Sequence, residues 1–143
     1  MSDIINEAKK YWENGFNCSQ AAACGILDYY GYKQQSNVLK KALLPFGGGI
    51  GERSICGSLT GALAGLSSIL HERGIEKDTI YKMTKKLKER FKEEIGTLYC
   101  KEILLEFTLP DGSIEFNTPG RRKTCDNTVF QAVSIVKEII DAL

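Results

Sequence analysis

The 143 residues hold only three prolines, one tryptophan and one histidine, and charge of neither sign prevails. Nineteen Lys and Arg stand against 18 Asp and Glu, a formal net charge of +1. Such a balance gives no strong field to draw nucleic acid or an anionic membrane, and neither is expected as a partner. No two cysteines stand in a CxxC pair, which removes the zinc ribbon and the thioredoxin-type active site. His71 is solitary and no carboxylate pair lies in an apolar setting, so neither a Ser–His–Asp set nor a phosphotransfer site can be built. The longest uncharged run, Ser54 to Leu70, is rich in Ser, Thr and Gly and falls short of the ~20 apolar residues of a comfortable membrane span. It reads as a central helix, with no membrane insertion. The start, Met1-Ser2-Asp3-Ile4-Ile5-Asn6-Glu7, has early acids and no apolar run, unlike a signal peptide, and a cytoplasmic location is expected. No internal repeat or low-complexity tract is visible.

What is present is an ordinary globular composition, 43% hydrophobic and 26% charged, in 15.9 kDa. Residues 1–143 are therefore read as a single domain. Asp3 to Asn14 places Ile4, Ile5, Ala8, Tyr11 and Trp12 on one helical face, and Gly15 ends it. Asn17 with Gln20 three residues on forms a capping-box signal for a second helix running to Tyr30, with Gly31 after it. A short helix is predicted over 36–44, before Pro45. Residues 42–70 carry only Glu52 and Arg53 as charges and hold half of the 14 glycines, the pattern of a buried centre. Within them Gly47-Gly48-Gly49-Ile50-Gly51 is a loop, Ser54 is a candidate cap, and Gly57, Gly61 and Gly65 line one helical face. Another backbone can approach that face closely, from the same chain or from a second copy in a homodimer. Lys77 to Ile95 is strongly amphipathic, with Ile80, Met83, Leu87 and Phe91 as its apolar stripe. A helical turn or two follows over 100–107. Leu109-Pro110-Asp111-Gly112-Ser113 is a turn signal, Thr118-Pro119-Gly120 continues the loop, and a last helix starts at Thr124 or Cys125. The fold class that results is mainly α: a bundle of about five to seven helices, a Gly-rich loop before the central one, and room for one small hairpin near 105–116.

Five cysteines, an odd number, in a reducing compartment do not suggest a permanent disulfide frame. Cys18, Cys56, Cys125 and, less directly, Cys100 fall at predicted helix starts. There the free N–H groups and the positive end of the helix favour a thiolate, a better nucleophile and a better metal ligand. Arg53, Lys101 and Arg121-Arg122-Lys123 add positive charge beside them in sequence. Cys24 lies mid-helix, about 240° around from Cys18, and reads as a small core residue.

Cys18, then Cys56-Gly57-Ser58-Leu59-Thr60-Gly61, then Cys100 and Cys125, in that order, resemble the C-GCAxxG-C-C family. Asn17-Cys18-Ser19-Gln20-Ala21 and Phe46-Gly47-Gly48-Gly49 add to the likeness, which spans about Ala8 to Val136. The family's Gly-Cys-Ala reads Ile55-Cys56-Gly57 here. The resemblance implies redox or metal chemistry at Cys18, Cys56, Cys100 and Cys125 and leaves Cys24 outside the pattern. Some relatives resemble multihaem split-Soret cytochromes, but covalent haem needs a CxxCH run and none occurs. His71, at a helix end before Gly74, is expected to meet C-terminal carbonyls instead.

Three functions follow as expectations. Four thiolates brought together can hold an iron–sulfur cluster or, with less fit to the long spacings, another metal such as zinc, for electron transfer with a protein redox partner. Backbone N–H groups of Gly47, Gly48 and Gly49 would then lie near sulfur and tune the potential. Without metal, Cys18 and Cys56 are the chosen redox thiols, with Cys100 and Cys125 as a second pair. The third is a non-redox module in which the glycine loop nests an anion, although the loop lacks the Lys-Ser/Thr of a P-loop. The Lys82 to Lys92 run, balanced by Glu89, Glu93 and Glu94, is a solvated face that can also dock an acidic partner.

Overall fold

The computed structural model describes residues 3–143. The elements in chain order are α1 (Asp3–Trp12), α2 (Cys18–Tyr29), α3 (Lys33–Ala42), a 3₁₀ turn (Leu44–Phe46), α4 (Gly57–Glu72), α5 (Lys77–Ile95), α6 (Cys100–Ile103), a second 3₁₀ turn (Leu105–Phe107) and α7 (Pro119–Asp141). No sheet forms among the described residues, and the fold is a single mainly helical domain.

At the centre stand α2 and α4, the most closely associated pair of helices. Both are apolar almost all round, the mark of a helix with no solvent face: α2 is buried from Ser19 to Leu27, and α4 buries Leu59, Ala62, Leu66, Ile69 and Leu70. They approach through small residues. A Cβ on Gly61 would lie 2.1 Å from the Ser19 carbonyl oxygen, and one on Gly25 would lie 2.7 Å from Ala8 Cα of α1. The glycine face of α4 is thus filled by α2 of the same chain and is not open to a second copy. Around this pair, α1, α5 and α7 lay amphipathic faces, with Ile4, Leu87, Phe91, Val133 and Val136 fully buried.

Local signals explain most boundaries. Asn17 accepts the Gln20 N–H at 2.9 Å and Gln20 Oε1 accepts the Asn17 N–H at 3.0 Å, the full capping box. Gly96 ends α5 in the left-handed region (φ 100°). His71 meets the Ser67 carbonyl at 2.8 Å, one turn back inside α4 and not at the last carbonyls expected from sequence.

Four boundaries or burial patterns differ from those expected. The buried centre predicted over 42–70 holds only from Cys56 onward, because Leu44 (66% exposed) and Ile50 (47%) face outward. The third helix starts at Lys33 rather than Ser36. The cap of α4 is Cys56, not Ser54. The last helix begins at Pro119, not at Thr124 or Cys125. Thr118 accepts the Arg121 N–H and Pro119 takes the first helical position, where its missing N–H costs nothing. The small hairpin near 105–116 reduces to one antiparallel pairing of Thr108 with Ile114. The Leu109 N–H donates to the Ser113 carbonyl at 2.8 Å, and Asp111 accepts the Ser113 N–H at 2.9 Å.

The glycine loop is a left-handed turn: Gly48, Gly49, Ile50 and Gly51 all have φ between 61° and 70°. The Ser54 N–H closes it onto the Gly49 carbonyl at 2.9 Å. Glycine takes this conformation freely. A β-branched residue does not, at a cost of roughly 1–2 kcal/mol. Ile50→Asn, tolerated in that region, is therefore expected to stabilise the protein by about 1 kcal/mol, read as a higher chemical-denaturation midpoint. An unchanged or lower midpoint would show that the outward Ile50 side chain is held by contacts worth more than the strain.

Candidate redox site

Four separate chain segments bring the four family cysteines to one end of the α2–α4 pair. The Asn17 cap sets Cys18 as the first residue of α2, and the Asn17 amide also donates to the Leu44 carbonyl at 2.8 Å, tying the glycine loop to the same helix start. Gly47 lies directly on the Asn17 side chain, with no room for a Cβ. Cys56 caps α4 and Cys100 opens α6. Two backbone hydrogen bonds fix them side by side. The Cys56 N–H donates to the Leu98 carbonyl and the Cys100 N–H to the Ser54 carbonyl, both at 2.8 Å, around the paired Ile55 and Tyr99. Cys125 lies within α7, well past its Thr118 cap. It is therefore not at a helix start, contrary to the sequence expectation. Thr128 binds the Cys125 carbonyl at 2.7 Å and Ser58 of α4 at 2.9 Å, which pins this turn of α7 to α4.

All four thiols line a single cavity of about 250 Å³. Cys56 and Cys100 are buried, and Cys18 and Cys125 are half-buried. A Cβ on Gly57 would fall 2.4 Å from Cys18 Sγ, so that glycine leaves the room this sulfur occupies. Gly48 lines the cavity and its backbone bonds Cys18, while Gly49 serves the turn instead. Of the three loop glycines named from sequence, only Gly48 faces the thiols. All five cysteines are free thiols. Cys24 is fully buried and donates to the Ser36 carbonyl at 3.4 Å, a core role as expected. Among the described residues, no three His, Cys, Asp or Glu side chains are close enough together to hold one metal ion.

Burial governs the acidity of these thiols. Removal from water pushes Cys18 from 9.0 up to about 12. The neighbouring sulfurs of Cys56, Cys125 and Cys100 push the same way, and only the Gly48 backbone bond opposes them. Burial and then the Cys56 sulfur also raise Cys100, against the pull of Arg53. Cys125 is raised by burial against a hydrogen bond from Arg121 Nη1 at 3.7 Å. The lowered pKa expected at helix starts is thus overturned for these three residues, because desolvation exceeds what a helix end supplies.

The arginines do not act on the cysteines that they adjoin in sequence alone. Arg53, three residues before Cys56, reaches Cys100, whereas Arg121 does serve Cys125. Sequence reasoning missed the aromatic rim. Trp12, Phe16 and Phe116 line the same cavity. Trp12 donates its indole N–H to Asp126 and lies under the Arg122 guanidinium, 3.8 Å from its centroid. Only its place at the end of the α1 apolar face marks Trp12 in sequence, and nothing marks Phe116.

The described residues thus form a helical domain with four free thiols around one cavity. The chain matches the family model "Putative redox-active protein (C_GCAxxG_C_C)" over residues 16–139, and it belongs to that family. No curated protein and no solved structure matches it. Among the described residues no helix is long and apolar enough to cross a membrane.

Proposed function

We propose that the protein carries electrons by means of an iron–sulfur cluster held by Cys18, Cys56, Cys100 and Cys125. The supporting observation is that four segments bring these thiols, and among the described residues no His, Asp or Glu, around one largely apolar cavity. Their separation does not suit a single zinc ion, which needs its ligands within about 2.3 Å of one point. A Cys₄ donor set spread around a cavity suits a polynuclear cluster, whose several irons share the thiolates among them. When bound, such a cluster supplies a one-electron couple whose potential depends on charge, hydrogen bonds to sulfur and exposure. The chain's own residues act on those quantities. Arg53 and Arg121 place positive charge beside Cys100 and Cys125, the Gly48 backbone bonds Cys18, and Trp12 and Phe116 cover the cavity against water.

A second reading draws on the nearness of two thiols. Cys18 rests on Gly57, next to Cys56, and of the three neighbouring sulfurs it senses Cys56 most. In metal-free form the pair can join as one disulfide, passing two electrons and two protons to an acceptor disulfide that leaves as a dithiol. One experiment separates the two readings. Protein isolated without oxygen is expected to absorb in the visible, to bleach on dithionite and to recover on reoxidation. Cys56→Ser and Cys100→Ser should lose the colour, and Cys24→Ser should keep it. A colourless protein that forms a Cys18–Cys56 disulfide in a glutathione redox buffer would replace the cluster reading with the dithiol one.

A further inference from the structure

Two arginines at the rim of the cavity, Arg53 and Arg121, have no carboxylate partner among the described residues. Arg53 and Arg121 stand on the same aromatic ring, their guanidinium carbons 5.3 Å and 4.9 Å from the centroid of Phe116. Two like charges that approach one ring repel, and a nearby carboxylate would relieve that repulsion. Here the described residues provide none. The ion pairs join Lys10 with Glu7, Lys33 with Asp28, Arg90 with Glu138, Arg122 with Asp126 and Lys137 with Asp141, and neither Arg53 nor Arg121 takes part. Arg121 gives one Nη to Cys125 and the other to the Phe116 carbonyl at 3.2 Å, while its Nε is buried with no acceptor at all. A buried donor without a partner is uncommon and costly in a folded protein. Arg53, in turn, is held at φ 60°, a conformation rarely adopted outside glycine. Strain of this kind gathers at ligand clamps. The ring that both arginines approach belongs to Phe116, 52% exposed, in a loop whose one pairing joins Thr108 with Ile114.

We propose that Arg53 and Arg121 form an anion site at the mouth of the thiol cavity, which takes the oxyanion head of a small molecule. Two guanidinium forks suit a planar carboxylate or a tetrahedral oxyanion. The cavity they border carries Trp12, Phe16, Ile103 and Leu104 beside the four cysteines, so an organic acid held at its mouth meets apolar side chains as a bare inorganic ion would not. The site goes beyond electron transfer between proteins: it gives the thiol centre a small-molecule ligand bound next to Cys100 and Cys125.

The test is calorimetric titration of anaerobically purified full-length protein, its iron content measured on the same sample, with sodium benzoate and with potassium phosphate at constant ionic strength. Both probes are expected to bind, benzoate more tightly. Arg53→Gln and Arg121→Gln should each weaken binding about tenfold or more, as loss of a charge-assisted hydrogen bond does. Arg73→Gln, an equal loss of charge on Tyr30 far along α4, should leave it unchanged. If a glutamine variant does not fold, Arg53→Lys and Arg121→Lys keep the charge, lose the fork and are expected to weaken benzoate severalfold. Phosphate binding alone would still place an oxyanion here and make it inorganic. Failure of both probes to bind, or equal weakening by Arg73→Gln, would overturn the site. The iron content, read separately, leaves the cluster proposal to stand or fall independently.

Discussion

Gly61→Ala is expected to destabilise the protein by about 3 kcal/mol, the upper part of the range for an overpacked core. At ~3–4 °C per kcal/mol for a domain of this size, the melting temperature should fall by roughly 10 °C. The reason is geometric. The added methyl would sit 2.1 Å from the Ser19 carbonyl oxygen and 2.9 Å from Ser19 Cα, against backbone that cannot swing aside as a side chain tip can. Relief requires α2 and α4, the central pair, to move apart, and every residue from Ser19 to Leu27 is packed in the present arrangement. The same shift would draw Cys18 away from Gly57 and open the thiol cavity. Gly65→Ala is the internal control, since its nearest neighbours lie at 3.4 Å and alanine favours a helix by up to about 1 kcal/mol. It should cost little or nothing. Equal melting temperatures for the two variants would show that the α2–α4 contact is not the tight one described.

In the reduced, metal-free protein, Cys18 is expected to react with iodoacetamide at pH 7 about a thousandfold more slowly than an unperturbed thiol. Burial pushes its pKa from 9.0 up to about 12, which makes the reactive thiolate scarcer in proportion. The same shift has a consequence for stability. The folded protein keeps the Cys18 proton up to about pH 12, while the unfolded chain releases it near 9. The stabilisation from that proton is therefore complete below pH 9 and is lost as the pH climbs from 9 toward 12. Denaturation midpoints taken between pH 7 and 11 should fall more steeply above pH 9 for the wild type than for Cys18→Ala. Rapid alkylation of Cys18 at neutral pH, identified by peptide mapping, would contradict the account and return this cysteine to the thiolate expected from its helix position.

That contrast shows where sequence reading reaches and where it stops. The capping box at Asn17 and Gln20, the apolar stripe of α5 and the glycines that end helices are local in sequence, so their positions could be read directly. The four-cysteine set was legible through its order along the chain and through family resemblance. What those cysteines experience was not. Helix-start position is a local property, but the packing of Cys18 against Gly57 and Gly48 arises only when distant segments meet. Cys125 was misplaced because Thr118-Pro119-Gly120 reads as a turn, although Thr before Pro is equally a helix start. Arg53 stands before Cys56 yet serves Cys100, because the Ile55–Tyr99 pairing folds the two segments together. Phe116, in a loop with no periodicity, carried no signal at all.

Cys18, Cys56, Cys100 and Cys125 surround one cavity, where we propose they hold a cluster. Iron and acid-labile sulfide, measured per chain on protein purified without oxygen, test it most directly. The prediction is iron and sulfide in near-equal, stoichiometric amounts, with both lost when Cys56 or Cys100 becomes serine. Protein that carries neither, and that takes up neither from ferrous iron and sulfide under reducing conditions, would contradict the claim.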